Sequence, residues 1–233
     1  MFKVIVVNQS SRLSNLVFQQ AVRAINMQLR GHFGPAWNIN CSCGTKYKKS
    51  APPDAYMYIM DEPTIDNALG YHDVDEKNMS QPVGYVFLNV CDLIGENFSK
   101  TLSHEMCELV LNRHCNYYAI GTHPRNSRKK AAIWLEACDA VQDQGYEIYG
   151  VEVSDFLFPH YFTPKDEEGS RNNFLIDKPV ASFGVNPGGY IGYYDFDLKI
   201  ETTFMADDRA SKRHEIKNAI GMLRRKNKVT SQF

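Results

Sequence analysis

Thr101-Leu102-Ser103-His104-Glu105-Met106-Cys107-Glu108-Leu109-Val110-Leu111-Asn112 is the stretch on which the fold of this chain turns. Wound as a helix advancing about 100° per residue, it gathers Thr101, His104, Glu105, Glu108 and Asn112 into one polar arc. Leu102, Met106, Leu109 and Val110 fall on the opposite side. One face anchors the helix and the other presents an imidazole with carboxylates. His104 and Glu108, four residues apart, can reach one metal ion from adjacent turns, while the offset Glu105 can reach a metal-activated water. The spacing is that of the His-Glu-x-x-His helix of zinc hydrolases, with Glu in place of the second His. Zinc brings the pKa of such a water toward neutrality, and Glu105 would take its proton as general base. A Glu ligand adds negative charge and weakens the Lewis acid, so the pattern predicts lower activity than the two-His version. The same four positions also occur on ordinary solvated helix faces. The flanking segments therefore have to decide.

Upstream, residues 83–90 predict a strand, placed like the edge strand that pairs with an extended peptide in zincin-type hydrolases. Downstream comes Trp134-Leu135-Glu136-Ala137-Cys138-Asp139, an acidic pair three apart in an apolar setting. Glu136 and Asp139 could supply a third ligand and a partner for His104, or could be surface residues. His114, ten positions after His104, is a rival third ligand. Leu111 stands where a sharp return to the metal wants glycine, which argues against it.

Further out, a β-branched run at 4–7 predicts a first strand, and Ser10 and Ser11 offer caps for a helix over 12–29 stopped by Gly31 and Gly34-Pro35. A strand is predicted at 55–60 and an acidic loop over 61–81. Residues 131–141 fit helix or strand equally. Residues 146–153 alternate like a strand pair around Gly150, the aromatic run 156–162 predicts core packing, and Pro187-Gly188-Gly189-Tyr190 predicts a turn. From Met205 onward a single amphipathic helix is expected, with eight Lys/Arg among its residues. The expected fold class is α+β. A single zincin-like domain over 1–200 would hold a mixed sheet and the central helix, with a basic helical extension over 201–233.

Composition narrows the partners. The 233 residues carry 26 Lys+Arg and 27 Asp+Glu, a net charge of −1, which excludes a single-sign field steering the whole chain onto nucleic acid. No apolar run approaches the roughly 18–20 residues of a membrane span. The N-terminal apolar run is too short for a signal-peptide core, so a cytoplasmic protein is expected. Six scattered cysteines predict reduced thiols rather than a disulfide scaffold. Cys41-Ser42-Cys43 lacks a second ligand pair and reads as a turn with idle thiols.

Several segments in order carry a resemblance. They are Ala68-Leu69-Gly70-Tyr71-His72-Asp73, Ser103-His104-Glu105 with Glu108, Glu136-Ala137-Cys138-Asp139-Ala140-Val141, Val153-Ser154-Asp155-Phe156 with Pro159 and Phe162, and Pro187-Gly188-Gly189-Tyr190-Ile191. Together they resemble a little-characterised group of bacterial and phage proteins with a zincin-like, metallopeptidase-type signature. The resemblance runs from about Val6 to Tyr194. It implies a zinc-dependent hydrolase with His104, Glu108, Glu136 and Asp139 at the metal, Glu105 as base, and His72 as a transition-state donor. A peptide or protein substrate is implied as well. One departure stands out: Asn112-Arg113 replaces the group's Asp-Pro. The second expectation is a phage structural, virion-associated protein that keeps the scaffold with catalysis weakened or lost. Its C-terminal helix would then serve contacts with virion proteins or self-association, in the host cytoplasm or the virion.

Overall fold

In the strand Ala55–Met60 (β3) burial alternates residue by residue, and Ala55, Met57 and Ile59 point into the core. The first strand, Phe2–Asn8 (β1), sends Val4 and Val6 to the same side. Cys41–Gly44 (β2) and β3 both run parallel to β1, and Pro82–Phe87 (β5) runs parallel to β3. Gly70–Val74 (β4) closes the edge antiparallel to β5, giving the order β2-β1-β3-β5-β4. This computed structural model describes residues 1–63, 70–74 (backbone only), 81–164 and 170–218.

Two expectations change here. The strand that leads to the central helix is interior, not an edge, and it stops at Phe87 because Leu88–Ile94 forms a helix (α3). The edge strand is β4, inside the stretch expected to be a loop. Its pairing runs from Gly70 opposite Val86 to Val74 opposite Pro82. Pro82 has no N–H and is accommodated as the first residue of β5.

The first helix, Asn15–Gln28 (α1), starts later than the two serines suggest. Ser14 is the cap, its hydroxyl accepting the Val17 N–H at 3.3 Å, while Ser10 and Ser11 bind Asp61. Gly31 and Gly34 do not stop the chain, which continues through a π-helical turn at Leu29–Phe33 and a short helix, Gly34–Trp37 (α2). A side chain at position 34 would put its Cβ 2.5 Å from the Leu29 carbonyl oxygen and 2.6 Å from that of Ile39. Glycine is therefore there for close packing, and the helical path ends at Asn38 with φ 53°.

The central helix, Phe98–Leu111 (α4), is capped by Asn97, whose side chain accepts the Ser99 N–H. It lies against β5 and β4 on one side and against the hairpin Gly145–Ile148 (β8) and Val151–Ser154 (β9) on another. That hairpin turns at Tyr149 and Gly150, with φ 51° and 73°, the two left-handed positions of a tight hairpin turn. The helix is not half-solvated as its amphipathic pattern predicts. Every residue from Ser99 to Leu111 is buried, because the hairpin and the chain after Trp134 cover the polar arc.

A second, antiparallel sheet has the order β11-β10-β7-β6, built from Tyr118–His123 (β6), Asn126–Trp134 (β7), Tyr190–Asp195 (β10) and Ile200–Met205 (β11). Residues 126–134 are thus strand, and only Asp139–Val141 forms a 3-10 turn. The two elements pack around Ile133, Val141, Tyr161, Phe183 and Tyr193, a core separate from the one under the first sheet. The aromatic run is core, as its composition suggests: Phe156 and Tyr161 are fully buried.

The expected boundary at 200/201 falls at the start of β11, which is paired with β10 along its length. The helical extension begins instead at Asp208–Asn218 (α5) and rests on the body through Ala210 and Arg213. All six cysteines are free and five are buried. Cys41 and Cys43 lie on β2 rather than in a turn, and burial pushes the Cys41 thiol up to about 12. Among the described residues no helix is long and apolar enough to cross a membrane.

Candidate metal centre

Register along α4 brings His104 and Glu108 to the same side, one turn apart. The His104 Nε2 lies 3.2 Å from Glu108 Oε1. It also lies 3.2 Å from Asp139 Oδ1, which arrives from the 3-10 turn far along the chain. Glu108 Oε1 is held in turn by the backbone N–H of Cys138 at 3.1 Å. His104, Glu105, Glu108, Glu136 and Asp139 are all at most 7% exposed. The 3-10 turn therefore performs two tasks: it delivers a carboxylate to the imidazole and orients the helix carboxylate through a main-chain donor.

The charges act on one another strongly. Burial alone pushes the His104 imidazole toward neutrality. The charge of Glu108, the hydrogen bonds accepted by Asp139 and Glu108, and the charge of Glu105 outweigh it and hold its pKa well above the ordinary value. Burial, with the neighbouring Asp139 adding to it, pushes the Glu108 carboxyl up, against the pull of His104. Buried carboxylates gathered on one imidazole thus raise each other's proton affinity and that of the ring.

The buried cluster is one that could hold a metal ion. Around a tetrahedral zinc with bonds of about 2.0–2.1 Å to nitrogen or oxygen, neighbouring donor atoms stand about 3.3 Å apart. That is close to both 3.2 Å contacts of the His104 Nε2. A second grouping overlaps the first: donor atoms of His104, Glu108 and Cys138 lie within 4.8 Å of one another. Burial, with a hydrogen bond to Cys107 adding to it, raises the Cys138 thiol well above its ordinary value. Cys138 and Asp139 are alternative third donors: the Cys138 thiol groups with His104 and Glu108, and Asp139 touches the His104 imidazole.

Each residue expected at the site can be placed. His104, Glu108 and Asp139 come together, and Glu105 is near enough to raise the pKa of both His104 and Glu108. Glu136 is buried two residues before Cys138, but the contacts that define the centre run through Asp139. His72 lies on β4 opposite Gly84, and its imidazole falls outside the described residues. Asn112 does not point at the centre. Its Oδ1 accepts the N–H groups of Asn116 and Tyr117 at 3.1 Å each, closing the turn after the helix. His114 lies in that same turn, half-buried.

The main-chain support from Cys138 had no signal in the sequence beyond its position next to Asp139. Neither family models, curated proteins nor solved structures give a match to this chain.

Proposed function

We propose that the chain is a zincin-like, zinc-dependent hydrolase acting on peptides, with His104, Glu108 and Asp139 holding the metal and Glu105 serving as general base. The observation that carries this reading is the convergence of two buried carboxylates from separate elements on a single imidazole nitrogen, at the spacing of metal donors. Zinc supplies the Lewis acidity that makes water a usable nucleophile near neutral pH.

The chain's own groups supply the rest. His104 binds through Nε2, and Glu108 is kept in its rotamer by the Cys138 N–H. Glu105, one residue beyond His104, would accept a proton from the metal-activated water and pass it to a leaving amine. The edge strand β4, antiparallel to β5 and beside α4, would receive an extended peptide by main-chain pairing.

The test is elemental analysis and peptide hydrolysis on wild type, His104→Ala and Glu105→Gln. The expected result is about one zinc per chain in wild type and in Glu105→Gln, none in His104→Ala, and hydrolysis in wild type alone. Wild type purified and zinc-supplemented without bound metal would overturn the reading. Metal retained with hydrolysis unaffected by Glu105→Gln would remove the assigned base.

A further inference from the structure

The 3-10 turn that delivers Asp139 packs against β10, and its Ala140 carbonyl accepts the Asn186 N–H at 3.0 Å. A further support comes from the C-terminal helix. Arg213, on α5, is 9% exposed and reaches in two directions. Its Nη1 donates to Asp143 Oδ1 at 3.2 Å, four residues past Asp139, and its Nη2 lies 3.2 Å from Glu96 Oε2, just before α4. The other oxygen of Glu96 accepts the Thr101 hydroxyl at 2.9 Å, one turn ahead of His104. One guanidinium therefore spans the two segments that carry the opposite sides of the centre.

The turn Pro187-Gly188-Gly189 presses on the same place from behind. A Cβ at Gly189 would stand 2.5 Å from the Ala140 carbonyl oxygen and 3.0 Å from that of Asp139. Gly188, at φ +78°, sits against the Asp143 side chain. Asp207 joins this turn to α5, accepting the N–H of Gly188 at 2.9 Å and of Ala210 at 2.8 Å. Turn, helix and Arg213 form one brace.

We infer that Arg213 is a positioning residue that keeps Asp139 in register with His104 and Glu108, so that α5 sets the metal affinity of a centre it does not touch. The inference rests on the metal-centre reading above. A planar guanidinium with donors in a rigid fork suits this task better than a flexible ammonium, which offers one charge and no fixed spacing. Loss of partners that orient metal ligands costs about 10–100-fold in affinity. A residue two links removed belongs at the lower end, about tenfold.

The experiment uses the full-length chain and measures zinc affinity by chelator competition, with cobalt substitution to read coordination from the visible spectrum. Variants are Arg213→Met, Arg213→Lys, Glu96→Gln and, as a control, Arg209→Ala. Arg209 is largely exposed and pairs with the same Asp143, so it tests charge alone. Expected are about tenfold weaker zinc binding and an altered cobalt spectrum in Arg213→Met, partial rescue in Arg213→Lys, a smaller loss in Glu96→Gln, and wild-type values in Arg209→Ala.

Folded Arg213→Met with wild-type affinity and spectrum would overturn the brace while leaving the metal centre standing. If Arg213→Met does not fold, Glu96→Gln decides: wild-type affinity and spectrum there would also overturn it. Wild type that binds neither zinc nor cobalt removes the metal reading itself, and the brace with it.

Discussion

The protein buries two histidines beside aspartates, and the two pairs are built for different purposes. His123, at the end of β6, places its Nε2 3.0 Å from Asp195 Oδ2, while its Nδ1 accepts the Arg125 N–H. With the Arg125 N–H on Nδ1, Nε2 is left to donate to Asp195, and each nitrogen has one partner. Asp195 also accepts the backbone N–H groups of Asp197 and Leu198, and these, with His123, hold its carboxyl below the ordinary range. Donors match acceptors there. At His104 they do not: one nitrogen faces two carboxylates, and the pKa values of both the imidazole and Glu108 are raised. A matched pair pins a bulged strand end, while the mismatched set is the one to which the proposed zinc site is assigned.

The largest way to break this comparison is metal removal. A ligand at about 1,000 times its Kd stabilises the fold by about 4.1 kcal/mol. With about 2–4 °C per kcal/mol for a chain of this size, chelation should lower the melting temperature by roughly 8–16 °C. His123→Ala should melt lower than wild type yet keep the whole chelator-induced difference, and His104→Ala should lose that difference. Calorimetry with and without chelator reads all three. An equal chelator effect in His104→Ala would show that the two histidines do not divide in this way.

A sharper version uses pH, because the two sites carry slopes of opposite sign. The metal-free fold raises the pKa values of His104 and Glu108, so it binds more protons than the unfolded chain between the ordinary and the raised values. Stability from His104 is complete below about pH 6.5 and is lost as pH rises through the raised native value. Glu108 acts in the same direction, since the native state disfavours its ionised form. Asp195 has a depressed native pKa, so its contribution is present above the ordinary carboxylate value and is lost as pH falls through the native one.

Metal-free protein should therefore lose stability on the alkaline side by up to about 1.4 kcal/mol per pH unit for each proton difference. His104→Gln should flatten that limb and Asp195→Asn should soften only the acid limb. Zinc binding displaces the extra protons, so affinity should rise over the same interval. Urea denaturation at several pH values checks each limb, and an alkaline limb unchanged by His104→Gln would refute the assignment.

The comparison also explains what could be read from the sequence and what could not. The α4 period was legible because hydrophobic spacing is local. The β8–β9 hairpin was legible because Gly150 supplies a left-handed backbone at a predictable place. The closure of the polar arc was not, since the covering segments lie some 30–50 residues further on and no local pattern encodes that docking. Residues 131–141 resisted for a related reason: Ala131 and Ala132 carry little strand preference, and their state is set by pairing with Tyr194 and Asp195. Gly34 misled because its role is close approach to two carbonyls, not the end of a helix. Glu136 was the expected third ligand and Asp139 its orienting partner; the fold brings Asp139 to the His104 imidazole through a turn that no local pattern encodes.

Asn112 yields the smallest expected effect and the most specific one. On a helical wheel it shares the arc of His104 and Glu108, so an Asp there looks like a further site carboxylate. In the fold its side-chain oxygen belongs with the matched kind of site, accepting two N–H groups that close the turn into β6. An Asp carboxylate accepts the same bonds, so Asn112→Asp should change zinc affinity by no more than about twofold, its cost falling on stability because the fully buried position takes on a charge. Asn112→Ala removes both acceptors and should cost about 1–3 kcal/mol, with metal content unchanged. Zinc titration and denaturant melts on the two variants separate the roles. If Asn112→Asp tightened zinc binding tenfold, the residue would belong to the mismatched centre, and the helix would present one more group to the metal than its geometry allows.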